Sequence, residues 1–154
     1  MKIKLYGVRG SVPVCEANFT RYGGNTTCVY FEFDDGSSSI CDAGTGIRNL
    51  GKDLLARDQL LNSQDIFIAF THFHWDHIQG IPFFAPAFDP DNHIHIHAIG
   101  ERQNQPDVRE IFKTQMQSAF FPIPMESMGA QFSFEYLLKD QLTWRNKSIK
   151  VYKH

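Results

Sequence analysis

Lys2 to Gly7 alternates polar and apolar residues as a half-buried strand does, and the cluster of Gly, Ser and Pro that follows predicts a loop. Thr27 to Asp34 and Ser37 to Cys41 predict two strands joined across Asp34-Asp35-Gly36, a hairpin signal. Ile47, Leu50, Leu54, Leu55 and Leu61 recur at helical spacing, so Thr45 to about Leu61 predicts an amphipathic helix whose apolar stripe covers the sheet. The run Ile66-Phe67-Ile68-Ala69-Phe70 predicts a buried strand over Asp65 to Thr71, and Ile78 to Phe84 predicts a short helix or turn that prolines interrupt. Phe83, Phe84 and Phe88 read as core. His93, His95 and His97 alternate with Ile94 and Ile96, which puts three imidazoles on one face of a strand. A second helix is predicted from Asp107 to about Ser118, with Pro106 in its first turn and Val108, Ile111, Phe112 and Met116 on one face. Gln131 to Leu138 and Ser148 to Tyr152 alternate again and predict two closing strands.

This alternation of strands and helices indicates an α/β protein. At 154 residues, 42% hydrophobic and 21% charged, the chain is suited to one globular domain with a core of its own. The longest apolar runs fall short of the ~20 residues a membrane span needs, and Met1-Lys2-Ile3-Lys4-Leu5 starts a strand rather than a signal peptide, so a cytoplasmic location is expected. Cys15, Cys28 and Cys41 are odd in number and form no CxxC pair; they read as reduced thiols used in packing. A formal net charge of -2 gives no general field for nucleic acid, though a local basic rim would still admit it.

The chemistry is concentrated in Thr71-His72-Phe73-His74-Trp75-Asp76-His77, where four potential metal ligands fall in six consecutive positions at the C-terminal end of the predicted buried strand. Imidazole and carboxylate suit zinc and neighbouring divalent metals. His72 and His74 are two apart, so an extended backbone sends both the same way and lets them share one ion. A sharp turn would bring Asp76 and His77 toward a second ion. Paired metals clamp the attacking and leaving oxygens of a displacement and generate hydroxide near neutral pH, which points to hydrolysis. The open end of an α/β sheet strand is also where such folds place their chemistry.

His72-Phe73-His74-Trp75-Asp76-His77 resembles the HxHxDH signature of the metallo-β-lactamase fold superfamily. Gly7-Val8-Arg9-Gly10-Ser11-Val12-Pro13, Arg21-Tyr22-Gly23-Gly24-Asn25-Thr26-Thr27-Cys28 and Asp42-Ala43-Gly44-Thr45-Gly46 look like the opening of bacterial hydrolases related to its phosphodiesterase and tRNA-processing members. The resemblance implies an αβ/βα sandwich, of which this chain is mainly the N-terminal half. It also implies two divalent ions, zinc first with manganese or iron as alternatives, held by His72 with His74 and by Asp76 with His77. Asp76 would be a ligand and the catalytic residue that receives a proton. Asp42 reads either as the carboxylate that orients a ligand histidine or as a turn or N-cap aspartate; the resemblance favours the first. The loop from Val8 to Asn25, with Arg9, Ser11, Arg21, Tyr22 and Asn25, reads either as a surface connection or as a wall of the active site, and again the resemblance favours the second.

A complete site in this superfamily also needs a downstream histidine, a bridging aspartate and a last histidine near the C-terminus. Those are missing here. His154 is a candidate for the last one. The domain 1–154 is therefore expected to be truncated before the downstream ligands, and an identical copy or a missing C-terminal half is expected to cover the open sheet face. His93, His95 and His97 suggest a second metal site, but the pattern is also that of a half-exposed strand and brings no acidic or cysteine partner in sequence. The leading functional expectation is hydrolysis of a small-molecule or nucleotide phosphodiester. The alternatives are a lactone, thioester or β-lactam substrate, or a catalytically incomplete scaffold.

Overall fold

The computed structural model describes residues 1–56, 65–99, 107–137, 141–144 and 147–150, with backbone alone for most of the last two segments. Strands β1 (Lys2–Gly7), β2 (Cys28–Glu32), β3 (Ser38–Cys41), β4 (Asp65–Phe70), β5 (His93–Ile99) and β6 (Gln131–Leu137) form one six-stranded sheet in chain order. β1, β2 and β3 are antiparallel, and β3 to β6 run parallel. The change of direction has a simple origin. Asp35-Gly36 closes a tight hairpin between β2 and β3, with Gly36 at φ +81°, whereas each later strand returns through helical or looping chain. Strands β7 (Gln141–Trp144) and β8 (Lys147–Lys150) pair separately.

Helices α1 (Ile47–Ala56) and α3 (Val108–Gln115) cover one face of the large sheet, and the single turn α2 (Trp75–Ile78) lies at its upper edge. Ile47, Leu50 and Leu54 of α1 and Val108 and Phe112 of α3 pack on Tyr30, Ile40, Ile66, Ile68, Phe70, Ile94 and Ile96. α3 starts where Asp107 caps it, its carboxylate accepting the Arg109 N–H at 2.8 Å.

The periodicity located most of these elements to within a few residues, with local corrections, but it predicted no strand at β7. α1 begins at Ile47 because Gly44-Thr45-Gly46 is spent on a turn that bonds back to Thr26, and the predicted end near Leu61 lies outside the described residues. Leu55 does not belong to the buried stripe; it is 46% exposed. Of the three phenylalanines read as core, Phe84 is buried while Phe83 and Phe88 are exposed, and the Phe83 ring meets Phe121 edge-on at 5.6 Å. Pro106, Leu138 and Tyr152 lie outside the described residues.

The other face of the sheet carries Ile3 and Leu5, 55% and 60% exposed, and Phe67, which is buried beside the His97 ring at 4.6 Å. The chain is thus a mixed α/β unit with helices on one side of its main sheet, consistent with part of the expected sandwich. No helix among the described residues is long and apolar enough to cross a membrane.

Candidate metal centre

Parallel pairing of β3 with β4 sets the site. Cys41 lies opposite Ala69, and the Asp42 N–H donates to the Ala69 carbonyl at 2.9 Å, so Asp42 leaves β3 beside the point where β4 delivers Thr71 and the histidines. Asp42 is nearly fully buried and holds φ at +60°, a left-handed backbone that aspartate tolerates better than most residues. Its carboxylate takes three donors. The Thr71 N–H reaches Oδ1 at 2.9 Å, the Thr71 hydroxyl lies 3.0 Å from both oxygens, and His77 Nδ1 lies 2.8 Å from Oδ2.

These contacts assign the proton positions on two of the rings. With Asp42 as acceptor, His77 carries its proton on Nδ1 and presents the Nε2 lone pair. The Thr71 hydroxyl gives its one proton to Asp42 and its oxygen, 3.0 Å from His72 Nδ1, accepts the His72 N–H. His72 therefore presents Nε2 as well. That nitrogen stands 3.0 Å from His74 Nδ1, and the two rings meet edge to face at 4.5 Å. His74 is extended at φ -64° and ψ 152°, and the two-residue spacing allows the rings to meet. The chain then turns into α2, which carries Asp76 and His77.

Asp76 is buried, and its Oδ2 lies 3.4 Å from His77 Nε2. The same oxygen accepts the Ser11 backbone N–H at 2.8 Å. Ser11 sits at φ +65°, so a non-glycine residue is held in a strained conformation that aims its amide at the carboxylate. That amide is the main reason the Asp76 carboxyl lies below its ordinary range, against the opposing effect of burial, with His77 and His72 adding to it. Burial chiefly, then the neighbouring His77 and His74 rings, lowers the His72 imidazole. Both shifts favour the forms that bind metal, an ionised carboxylate and a neutral imidazole.

Close packing locks α2 against the loop that follows β3. The Ala43 N–H donates to the His77 carbonyl at 2.7 Å and the Gly80 N–H to the Ala43 carbonyl at 2.8 Å. At Gly44 a Cβ would lie 2.2 Å from the Asp76 carbonyl oxygen and 2.4 Å from Thr26 Oγ1, so only glycine permits this approach.

His72, His74, Asp76, His77 and Asp42 are thus brought together, as two pairs of donor atoms with Asp42 behind one of them. Two ligands on a tetrahedral zinc stand about 3.3 Å apart, given bonds of about 2.0–2.1 Å. The separations of 3.0 Å in the histidine pair and 3.4 Å in the Asp76–His77 pair fit the donor set of two half-shells. Among the described residues no group of three or more His, Cys, Asp or Glu converges on one point, and His154 lies outside them.

His93, His95 and His97 run along β5 beside β4: His93 is opposite Asp65, at the far end of the strands and about 20 Å from the motif for six residues of strand, whereas His97 is opposite Ala69, close to the motif end. The expectation that they lack acidic partners is corrected by the register: Asp65 is opposite His93 and 2.8 Å from His95 Nε2, and Glu135 is opposite His97 at 3.7 Å from its Nδ1. His95 Nδ1 meets Ser133 Oγ at 2.9 Å. In the loop from Val8 to Asn25, Ser11 reaches the site through its backbone. Arg9 instead donates to the Gly23 carbonyl and lies over the Phe19 ring, and Arg21 lies over Tyr22. Sequence reasoning assigned no part to Thr71 or to the Ser11 amide. The first was legible as a hydroxyl beside the first histidine; a backbone donor leaves no residue-type signal.

A family model described as the metallo-beta-lactamase superfamily matches residues 21–136, well over half of the 154. No curated protein and no solved structure matches the chain.

Proposed function

Because the chain belongs to the metallo-β-lactamase superfamily, we propose that it carries the first ligand motif of a metal-dependent hydrolase that acts on phosphodiesters. The observation that carries this reading is the pair of half-shells: His72 Nε2 with His74 Nδ1, and Asp76 Oδ2 with His77 Nε2. Two divalent ions, zinc first and manganese or iron as alternatives, would be held by these pairs, and when bound they supply hydroxide at neutral pH and offset charge on a phosphate.

The chain's own residues do the positioning. Asp42 orients His77 and, through Thr71, His72; Ser11 keeps Asp76 ionised and fixed. Asp76 is the residue assigned to receive the water's proton, although a carboxylate held low is a weak acceptor and its ligand role comes first. Zinc takes four ligands and each pair offers two, so each ion would need further ligands besides these four residues, with His154, a longer chain or a second copy as the proposed sources. A phosphodiester is preferred to a lactone, thioester or β-lactam because the stretches beginning at Gly7, Arg21 and Asp42 look like the phosphodiesterase and tRNA-processing branch. A cytoplasmic setting goes with this reading and is supported by three unpaired thiols.

Bis-p-nitrophenyl phosphate incubated with the protein in its full-length form, with all metal ligands present, and added zinc or manganese tests the proposal. Hydrolysis above the metal-in-buffer rate, abolished by His74→Ala, is the expected result. Equal rates for the two proteins would remove the assignment.

A further inference from the structure

A cleft of about 380 Å³ opens between α2 and α3, beside the histidine cluster. Phe73, Trp75, Ile78 and Ile111 supply its apolar wall; Glu110 and Gln115 are among its polar groups. Phe73 is fixed by stacking on Phe70 at 5.9 Å and by an edge contact with Phe112 at 6.2 Å, whereas Trp75 is 60% exposed and committed to no such stack. Glu110 and Gln115 present acceptors, and the Thr114 hydroxyl can donate or accept. Gln115 gives its Nε2 to the Ile78 carbonyl at 3.2 Å and leaves a buried Oε1 without a hydrogen-bond partner.

Charge beside the cleft is partly compensated. Lys113 Nζ stands 3.7 Å from Glu110 and 3.3 Å from Glu126, and the Arg109 guanidinium, which lies over the Phe134 ring, also acts on Glu126, so Glu110 shares its one close ammonium with a second carboxylate. No Lys, Arg or His lines the cleft among the described residues. Aromatic faces, a partly compensated carboxylate and an unpaired carbonyl are what an organic cation needs, because the ring faces and the acceptors all present negative potential. An anion would meet repulsion from the Glu110 carboxylate and the ring faces.

We propose that this cleft is a binding site for an organic ammonium group, seated against the Trp75 and Phe73 rings with Glu110 as its counter-charge. Phe73 and Trp75 are chain neighbours of His72 and His74, and alternation directs them away from the histidine pair, so the cleft and the candidate metal centre lie on different sides of the same short segment. The cation site itself uses none of the metal-binding atoms and stands whether or not the hydrolase reading does.

Calorimetric titration of choline into the full chain, dialysed against a chelator, tests this, with 3,3-dimethyl-1-butanol as the uncharged analogue of the same shape. Saturable choline binding is expected, with the alcohol at least about tenfold weaker and with Trp75→Ala and Glu110→Gln each weakening choline about five- to tenfold. Both side chains are exposed, so these variants should fold. The double variant His72→Ala/His74→Ala should bind choline as the parent does while losing phosphodiester hydrolysis, which separates the two proposals. Equal affinity for the alcohol, unchanged binding by Glu110→Gln, loss of binding in the double histidine variant, or no saturation by about 50 mM choline would each overturn the site.

Discussion

Asp42 Oδ2 and His77 Nδ1 are 2.8 Å apart, and through this one contact the end of β3 dictates which nitrogen of a residue 35 positions away faces the candidate metal centre. A carboxylate behind a ligand histidine fixes the ring's orientation and raises its basicity, and its loss commonly costs about 10–100-fold in metal affinity. Asp42→Asn retains a residue that tolerates the left-handed backbone but removes the charge. It is expected to weaken zinc binding by about that factor, read by competition with a chromophoric chelator, while the far-ultraviolet circular dichroism stays unchanged. Affinity equal to the parent's would mean that His77 does not depend on Asp42.

Gly44→Ala addresses the same junction by bulk instead of charge. The added methyl would meet the Asp76 carbonyl and Thr26 Oγ1 well inside van der Waals contact, and backbone on one side has little room to retreat. A loss of about 1–3 kcal/mol is expected, as for other overpacked sites, visible as a lower urea midpoint with an unchanged slope. A midpoint within error of the parent's would show that α2 moves freely relative to Gly44.

The Asp76 carboxyl gives a pH dependence with a definite sign. Its folded value is depressed, so the stability it contributes is complete above the ordinary carboxylate value of about 3.9 and is lost as pH falls through the lower folded value. In chelator-treated protein the parent should exceed Asp76→Asn in urea stability at pH 6, and the gap should close as the pH is taken below about 4. A gap that stays constant down to pH 3 would mean the Ser11 amide is not stabilising the charge.

Thiol chemistry offers an independent check on the sheet. Burial, with a smaller effect of the Asp42 charge, pushes the Cys41 thiol up to about 12, and burial raises Cys28 further, whereas Cys15 is exposed. Ellman's reagent at pH 8 should titrate one thiol quickly in the native protein and three in urea, since the thiolate is the reacting form. Fast reaction of two or more would place Cys41 or Cys28 at the surface.

The sheet and its covering helices were legible because burial imposes periods of two and 3.6 that local residue choice records: Ile66 to Phe70 and the Ile47, Leu50, Leu54 stripe carry them plainly. Leu55 and Phe83 misled the same reading because exposure at the margin of a stripe depends on what lies across from it. The four ligand positions stood out since their spacing follows from an extended backbone and one turn. Asp65 beside His95 did not, because register between strands separated by a crossover is set by packing across the sheet rather than by either segment alone. Ser11 was visible only as part of a glycine-rich loop; its positive φ and the direction of its amide are properties of the folded chain.

That amide also limits what side-chain scanning can report. An alanine survey would replace the Ser11 hydroxyl, leave its N–H on Asp76, and score the position as silent. Proline there would delete the donor, and glycine would relieve the left-handed backbone while keeping it. A position that tolerates alanine, improves with glycine and fails with proline carries its information in the main chain, and a conventional mutational map would leave it blank.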